Sequence, residues 1–112
     1  MAIVFKEVGG VLTGSVATYY TAPPTVKVSI LYNGHFANMT QSVASPADAT
    51  FYAEIYKGGV GPSRILADTL PIPVQTSFSF DKPFNLEAND VFRAYADATN
   101  KVDMSLSIVE LT

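Results

Sequence analysis

Val102-Asp103-Met104-Ser105-Leu106-Ser107-Ile108 is the stretch that decides the fold. Apolar and polar residues alternate one for one across it. Successive side chains of a strand point to opposite faces, so Val102, Met104, Leu106 and Ile108 fall on one side. Asp103, Ser105 and Ser107 fall on the other. That is a strand with one face in a core and one toward solvent.

The same period of two extends outward along the chain. Residues 98–101 (Ala-Thr-Asn-Lys) read as the turn of a hairpin, and residues 91–97 as the strand before it, with Phe92, Ala94 and Ala96 on one face. Residues 86–90 form a tight turn. Residues 76–80 put Phe78 and Phe80 together. The alternate prolines of Leu70-Pro71-Ile72-Pro73 predict an extended, unpaired connector. Residues 64–67 are a short strand. Lys57-Gly58-Gly59-Val60-Gly61-Pro62 is a flexible turn. Residues 49–56 are a strand with Phe51, Ala53 and Ile55 on one face and Tyr52, Glu54 and Tyr56 on the other.

Nearer the start, residues 25–33 place Val26, Val28, Ile30 and Tyr32 on one face, and Asn33-Gly34 has the composition of a turn. Residues 36–45 are open between pairing and loop, and Ser45-Pro46-Ala47-Asp48 is punctuation. Residues 15–21 put Val16, Thr18 and Tyr20 on one face, before Pro23-Pro24 breaks the ladder. Residues 3–8 are a short strand closed by Gly9-Gly10. No window holds a helical period. About eight strands predict an all-β, single-domain antiparallel β-sandwich, of jelly-roll or immunoglobulin-like type. Residues 1–14 would be an N-terminal strand or arm and residues 15–112 the sandwich. The chain has no cysteine and no tryptophan, so the Cys–Trp–Cys signature of a true immunoglobulin domain is absent.

Composition narrows the function. Without cysteine there are no disulfides, thiolate metal sites or thiol chemistry. The net charge is −3 and no block of Lys or Arg occurs, which argues against nucleic-acid binding. No apolar run is long enough to cross a bilayer, and the first residues lack the layout of a signal peptide, so a soluble protein made in the cytoplasm is expected. Charged residues make up 15 % of the chain, against roughly 25 % in a typical soluble domain. A surface so poor in charge fits one partly covered by other subunits, the alternative being a small β-domain with a polar, uncharged exterior.

The candidates for chemistry are few. His35 is the one histidine and has no spaced ligand partners, so it reads as an exposed loop residue beside Asn33-Gly34. Glu87 and Asp90, with Asp81 upstream, read as turn formers capping backbone amides; a weak calcium site is the alternative. Gly58-Gly59-Val60-Gly61-Pro62-Ser63 lacks the Lys-Ser/Thr ending and following helix of a phosphate loop. Asn38-Met39-Thr40 matches the glycosylation sequon, which carries no weight without a signal peptide. Ser15 lies in no nucleophile elbow. No cofactor, metal or catalysis is expected. What remains is surface. Tyr52 and Tyr56 share a face with Glu54; for these and Tyr19 ordinary cross-strand packing is the first explanation, subunit contact the second and a carbohydrate platform a distant third. Ile3, Val4 and Phe5 could add to a neighbour's sheet edge.

Several segments together resemble small β-sandwich phage virion structural proteins. They are Ala17-Thr18-Tyr19-Tyr20-Thr21-Ala22-Pro23, Val26-Lys27-Val28-Ser29-Ile30 with Asn33, and Leu66-Ala67 before Leu70-Pro71-Ile72-Pro73. Leu86-Glu87-Ala88-Asn89-Asp90-Val91-Phe92-Arg93-Ala94 and Asp103-Met104-Ser105-Leu106-Ser107-Ile108-Val109-Glu110 continue the likeness. The chain departs from that pattern at Asn89, where glycine is usual, and at Pro24, where a glycine-type turn residue is common. The resemblance implies a virion protein that works by contact. It would be a capsid cement or decoration subunit, or a neck, collar or tail ring component. Its partners would be a major capsid protein or neck and tail proteins, together with copies of itself, and not nucleic acid or membrane. It brings no catalytic residues.

Overall fold

The computed structural model describes residues 2–39, 48–80 and 82–112. Among them are nine strands: β1 (Ile3–Val11), β2 (Ala17–Thr21), β3 (Val28–Asn38), β4 (Ala49–Tyr56), β5 (Ser63–Ile72), β6 (Ser77–Phe80), β7 (Phe84–Leu86), β8 (Val91–Ala96) and β9 (Val102–Leu111). A short 3-10 turn at Lys57–Gly59 is the one helical element among the described residues. The strands form two sheets. The first runs β1-β9-β3-β6, with β7 also on β3; the second runs β2-β8-β4-β5. Every pairing is antiparallel. The chain is an all-β sandwich, as its periodicity predicts.

The inner faces are the apolar sets read from the alternation. Val102, Met104, Leu106 and Ile108 of β9 are buried, as are Phe51, Ala53 and Ile55 of β4 and Phe92, Ala94 and Ala96 of β8. The sheets meet on aromatic rings. Phe36 of β3 stacks on Phe51 of β4 with centroids 4.2 Å apart. Phe80 meets Phe36 and Phe84 edge to face, both at 5.6 Å. Full burial of a Phe side chain is worth about 1.5–3 kcal/mol, so Phe36, Phe51 and Phe92 are principal holdings of the core.

Several local readings are corrected. Asn33-Gly34 is not a turn: β3 continues through it, with a bulge between Leu31 and Asn33. Gly34 serves close packing instead, since a Cβ there would stand 2.8 Å from the Phe80 ring. In β3 the inner face carries Ser29 and Leu31, while Val28 and Ile30 turn to the other side. A second bulge, between Thr18 and Tyr20, separates those residues: Thr18 opposes Arg93, and Tyr20 opposes Phe92 of the inner face. Val16 is half exposed. Pro71 lies inside β5, opposite Thr50. Because β5 is an edge strand, its missing N–H breaks no ladder on the outer side. Residues 98–101 join β8 of the second sheet to β9 of the first, so they cross between layers and close no hairpin. β1 runs past Gly9-Gly10 to Val11 and pairs with β9 throughout, from Ile3 opposite Leu111 to Val11 opposite Asp103. Of residues 36–45, Phe36 to Asn38 belong to β3. Asp81, Thr40 and Ser45-Pro46-Ala47 lie outside the described residues.

Candidate functional site

Among the described residues no group of three or more His, Asp or Glu is arranged to hold a metal ion, and no helix is long and apolar enough to cross a membrane. Three of the polar residues singled out in the sequence, His35, Asn38 and Asp90, have partners within the fold. His35 is a half-buried strand residue whose Nδ1 lies 2.7 Å from the Ser79 hydroxyl of the opposing strand. Asn38 is buried and donates from its side-chain amide to the Ile72 carbonyl at 2.8 Å. Asp90, 2 % exposed, ties two loops together. It accepts the backbone N–H of Gly58 and that of Glu87, both at 2.8 Å, and the ammonium of Lys57. Burial acts to raise its pKa. The bond from Lys57, the two amides and the Lys57 charge outweigh burial and hold it below the usual aspartate range. The glycine loop is thereby a docked 3-10 turn, with Gly58 at φ 62 and Gly61 at φ 94.

A second polar cluster crosses the sandwich interior. The Tyr20 hydroxyl donates to the buried Glu110 carboxylate and lies 2.9 Å from the Ser29 hydroxyl. A phenol has one proton, so Ser29 donates to the Tyr20 oxygen. Burial, and next the bond to Glu110, push the Tyr20 pKa up to about 12. Lys6 of β1 reaches the other Glu110 oxygen at 3.1 Å.

The predicted contact residues fall into three places. Tyr19 is the bulge residue of β2. It packs partly buried against the core, 3.6 Å from a Cβ placed on Gly10. Tyr52 and Tyr56 lie together on the outer face of the second sheet. The Tyr52 ring stacks on Tyr95 of β8 with centroids 5.1 Å apart, and the Arg93 guanidinium sits 3.9 Å above the Tyr56 ring. Arg93 also grips Glu54 through two nitrogens, at 2.6 and 3.1 Å, and Ser63 donates to the same oxygen at 2.8 Å. Burial alone would raise the Glu54 pKa; the bonds from Arg93, Ser63 and Tyr52 and the Arg93 charge bring it below the usual range. The rings of this face are engaged in cross-strand packing with one another and with Arg93.

Ile3, Val4 and Phe5 are the third place. They are 59 %, 41 % and 74 % exposed. β1 is the margin of the first sheet, with Tyr19 of β2 against it at Gly10. Side chains of both its faces are open: Ile3 and Phe5 outward, Val4 inward. Register extends the outward pair across three strands. Ile3 lies opposite Leu111, which lies opposite Val28; Phe5 lies opposite Val109, which lies opposite Ile30. Six apolar residues thus form a panel two rows deep on the outer face of the first sheet. The next row, Glu7, Ser107 and Asn33, is polar. Sequence reasoning named Ile3 and Phe5 but missed the other four. The signal was present where alternation fails: Ile3-Val4-Phe5, Ile30-Leu31 and Ile108-Val109 are consecutive apolar residues on strands, the mark of two covered faces.

No protein-family model matches the chain, and no curated protein sequence does. Solved structures share its fold. One is a chain of Bacillus endospore appendages, a family of disulfide-linked pili. It aligns with a TM-score of 0.59 at 16 % identity, over 98 % of this chain and 88 % of that one. Another, from the acidic stable capsid of Helicobacter pylori bacteriophage KHP30, gives 0.58 at 10 % identity, over 100 % of this chain and 89 % of that one. A pentameric capsid protein from metagenomic phage sequences gives 0.50 at 17 %, over 94 % and 61 %. The likeness is one of fold. This chain has no cysteine with which to form a disulfide link.

Proposed function

We propose that this chain is a bacteriophage virion structural subunit, a cement or decoration protein that stabilises the capsid by contact with neighbouring subunits and carries out no catalysis. The observation that carries this reading is the strip Ile3-Val4-Phe5, apolar on both faces of an edge strand and continuous with a three-strand apolar panel. An edge of that kind invites another chain, and monomeric proteins ordinarily blunt it. The strand order supports the reading. Counting β6 and β7 as one interrupted strand, β1-β9-β3-β6 over β2-β8-β4-β5 is the order of an eight-stranded jelly roll, an architecture used by viral capsid domains. Similar folds in a phage capsid and in a pilus, both repetitive assemblies, agree with it. The mechanism is multivalent: contacts that are weak singly sum over a symmetric lattice.

The test is a quantitative mass-spectrometric census of purified particles. A cement subunit is expected at hundreds of copies under the symmetry of a shell. Absence from particles would overturn the virion reading. A count of about a dozen or fewer would overturn the cement assignment in favour of a neck, collar or tail ring.

A further inference from the structure

We infer that β1 is a homotypic docking strand: two copies of this chain pair antiparallel through their β1 edges, about a two-fold axis at Val4, and fuse their first sheets into one. The inference rests on reading the chain as an assembly subunit and names the partner as a second copy.

The backbone supplies the first part. Ala2 and Thr112 exchange both main-chain hydrogen bonds, at 3.3 and 3.0 Å, and the Leu12 N–H donates to Val102. Antiparallel ladders alternate, so the even-numbered residues of β1 turn their N–H and C=O groups toward β9. Ile3, Phe5 and Glu7 present theirs at the free edge, where no described strand follows.

Side chains then select the register. An antiparallel pair of identical strands opposes residues of the same face, so its axis passes through one residue. An axis at Lys6 sets lysine against lysine, and one at Glu7 sets glutamate against glutamate; both are penalised. An axis at Phe5 sets Ile3 against Glu7 and Val4 against Lys6. An axis at Val4 sets Ile3 against Phe5 of the second copy, twice, and Val4 against its own counterpart. Every central pair is then apolar, and the two edge-facing pairs make complete hydrogen-bonded rungs. This register also joins the two outer panels. One row would run Val28, Leu111, Ile3 and then Phe5, Val109, Ile30 of the second copy; the two-fold generates the other.

Area sets the strength. Taking about 200 Å² for a fully exposed aromatic side chain, Ile3, Val4 and Phe5 together offer roughly 300 Å² per copy. A standard stable interface takes about 800 Å² per partner. The pair is therefore weak and concentration-dependent in solution, and it becomes persistent only where a lattice holds many copies together.

Cysteine cross-linking tests the register, because the chain has no thiol of its own. Directly opposed Cβ atoms of a non-hydrogen-bonded pair lie about 4.5–5.5 Å apart, close enough for a disulfide after slight adjustment. Val4→Cys is expected to give a covalent dimer on mild oxidation. Lys6→Cys, opposite Ala2 of the second copy, is expected to give several-fold less. In light scattering the unmodified chain should rise from 12.0 kDa toward twice that mass as concentration increases. Phe5→Glu, at an exposed position, should weaken association at least tenfold while leaving circular dichroism and melting unchanged. A native chain that stays at 12.0 kDa at about 1 mM, or Lys6→Cys coupling as well as Val4→Cys, overturns the inference. Failure of the wider reading looks different. A chain that dimerises in this register yet is absent from particles overturns the virion role. A monomer present in particles overturns only the homotypic contact.

Discussion

Asp90→Asn keeps size and shape and removes one charge from the site that holds the Lys57–Gly59 turn against the Glu87–Asp90 turn. The aspartate receives three donors: two backbone amides at 2.8 Å and the Lys57 ammonium. An asparagine amide can accept through its oxygen only, so its NH₂ must face one of those donors. Hydrogen bonds to a charged group are worth about 1.5–3 kcal/mol each, and breaking a buried ion pair costs about 3–5 kcal/mol. Lys57 retains Glu87, 3.8 Å away and exposed, as a fallback, which limits the loss to about 2–3 kcal/mol. For a domain of this size that lowers Tm by roughly 10–20 °C. The pH dependence identifies the cause. The Asp90 pKa is depressed in the folded chain, so its contribution is complete above the unfolded value, 3.8, and disappears as pH falls through the folded value. Urea unfolding of both proteins at several pH values should show a full gap at pH 7 that narrows only in acid, below the ordinary aspartate range. The other acidic groups are common to both proteins and cancel. A gap that stays constant into strong acid, or one below about 1 kcal/mol at pH 7, would refute the reasoning.

Three further perturbations probe other parts of the fold. Gly34→Ala places a methyl group 2.8 Å from the Phe80 ring and should cost about 1–3 kcal/mol in urea unfolding; Phe80→Leu in the same chain should recover part of that loss, since adjacent sites couple. Tyr20→Phe removes the hydroxyl between Ser29 and Glu110 and should lower stability by about 1–2 kcal/mol in thermal melts. Arg93→Lys gives up the two-nitrogen grip on Glu54 and the guanidinium over Tyr56, for a loss of about 1–2 kcal/mol in the same assay.

How much of this was legible depended on how many surfaces a residue serves. In β4, β8 and β9 as far as Ile108, one face meets the core and the other is largely polar or open to solvent, so the alternation of Phe51, Phe92 or Leu106 reads directly as inside and outside. The reading failed where a local signal had a distant cause. Gly34 looks like half of a turn, yet it is glycine because Phe80, forty-six residues on, crosses above it. Residues 98–101 have the composition of a hairpin turn, but turn chemistry says that the chain can reverse and not which sheet it enters next. Pro71 forbids a central strand and permits an edge one, and no local pattern says that β5 is an edge. Asp90 was recognisable as a turn former, but its Lys57 partner comes from another loop.

The contact surface was half legible for the same reason. Ile3-Val4-Phe5 announces a strand without a polar face, and a sequence offers two explanations for that: burial inside its own domain, or an arm that leaves it. The structure has β1 paired with β9 along its length and still open on both faces at this end. Pairing on one side satisfies the backbone there. It leaves three consecutive large apolar side chains exposed, and the backbone groups of the free edge without a paired strand among the described residues. Ordering that end of β1 costs conformational entropy, and its own chain returns little apolar burial for it. In the proposed pairing, contact with a second copy adds the burial that this end lacks. The scarcity of charge in the sequence and the apolar panel over β1, β9 and β3 both support the proposal of a covered surface.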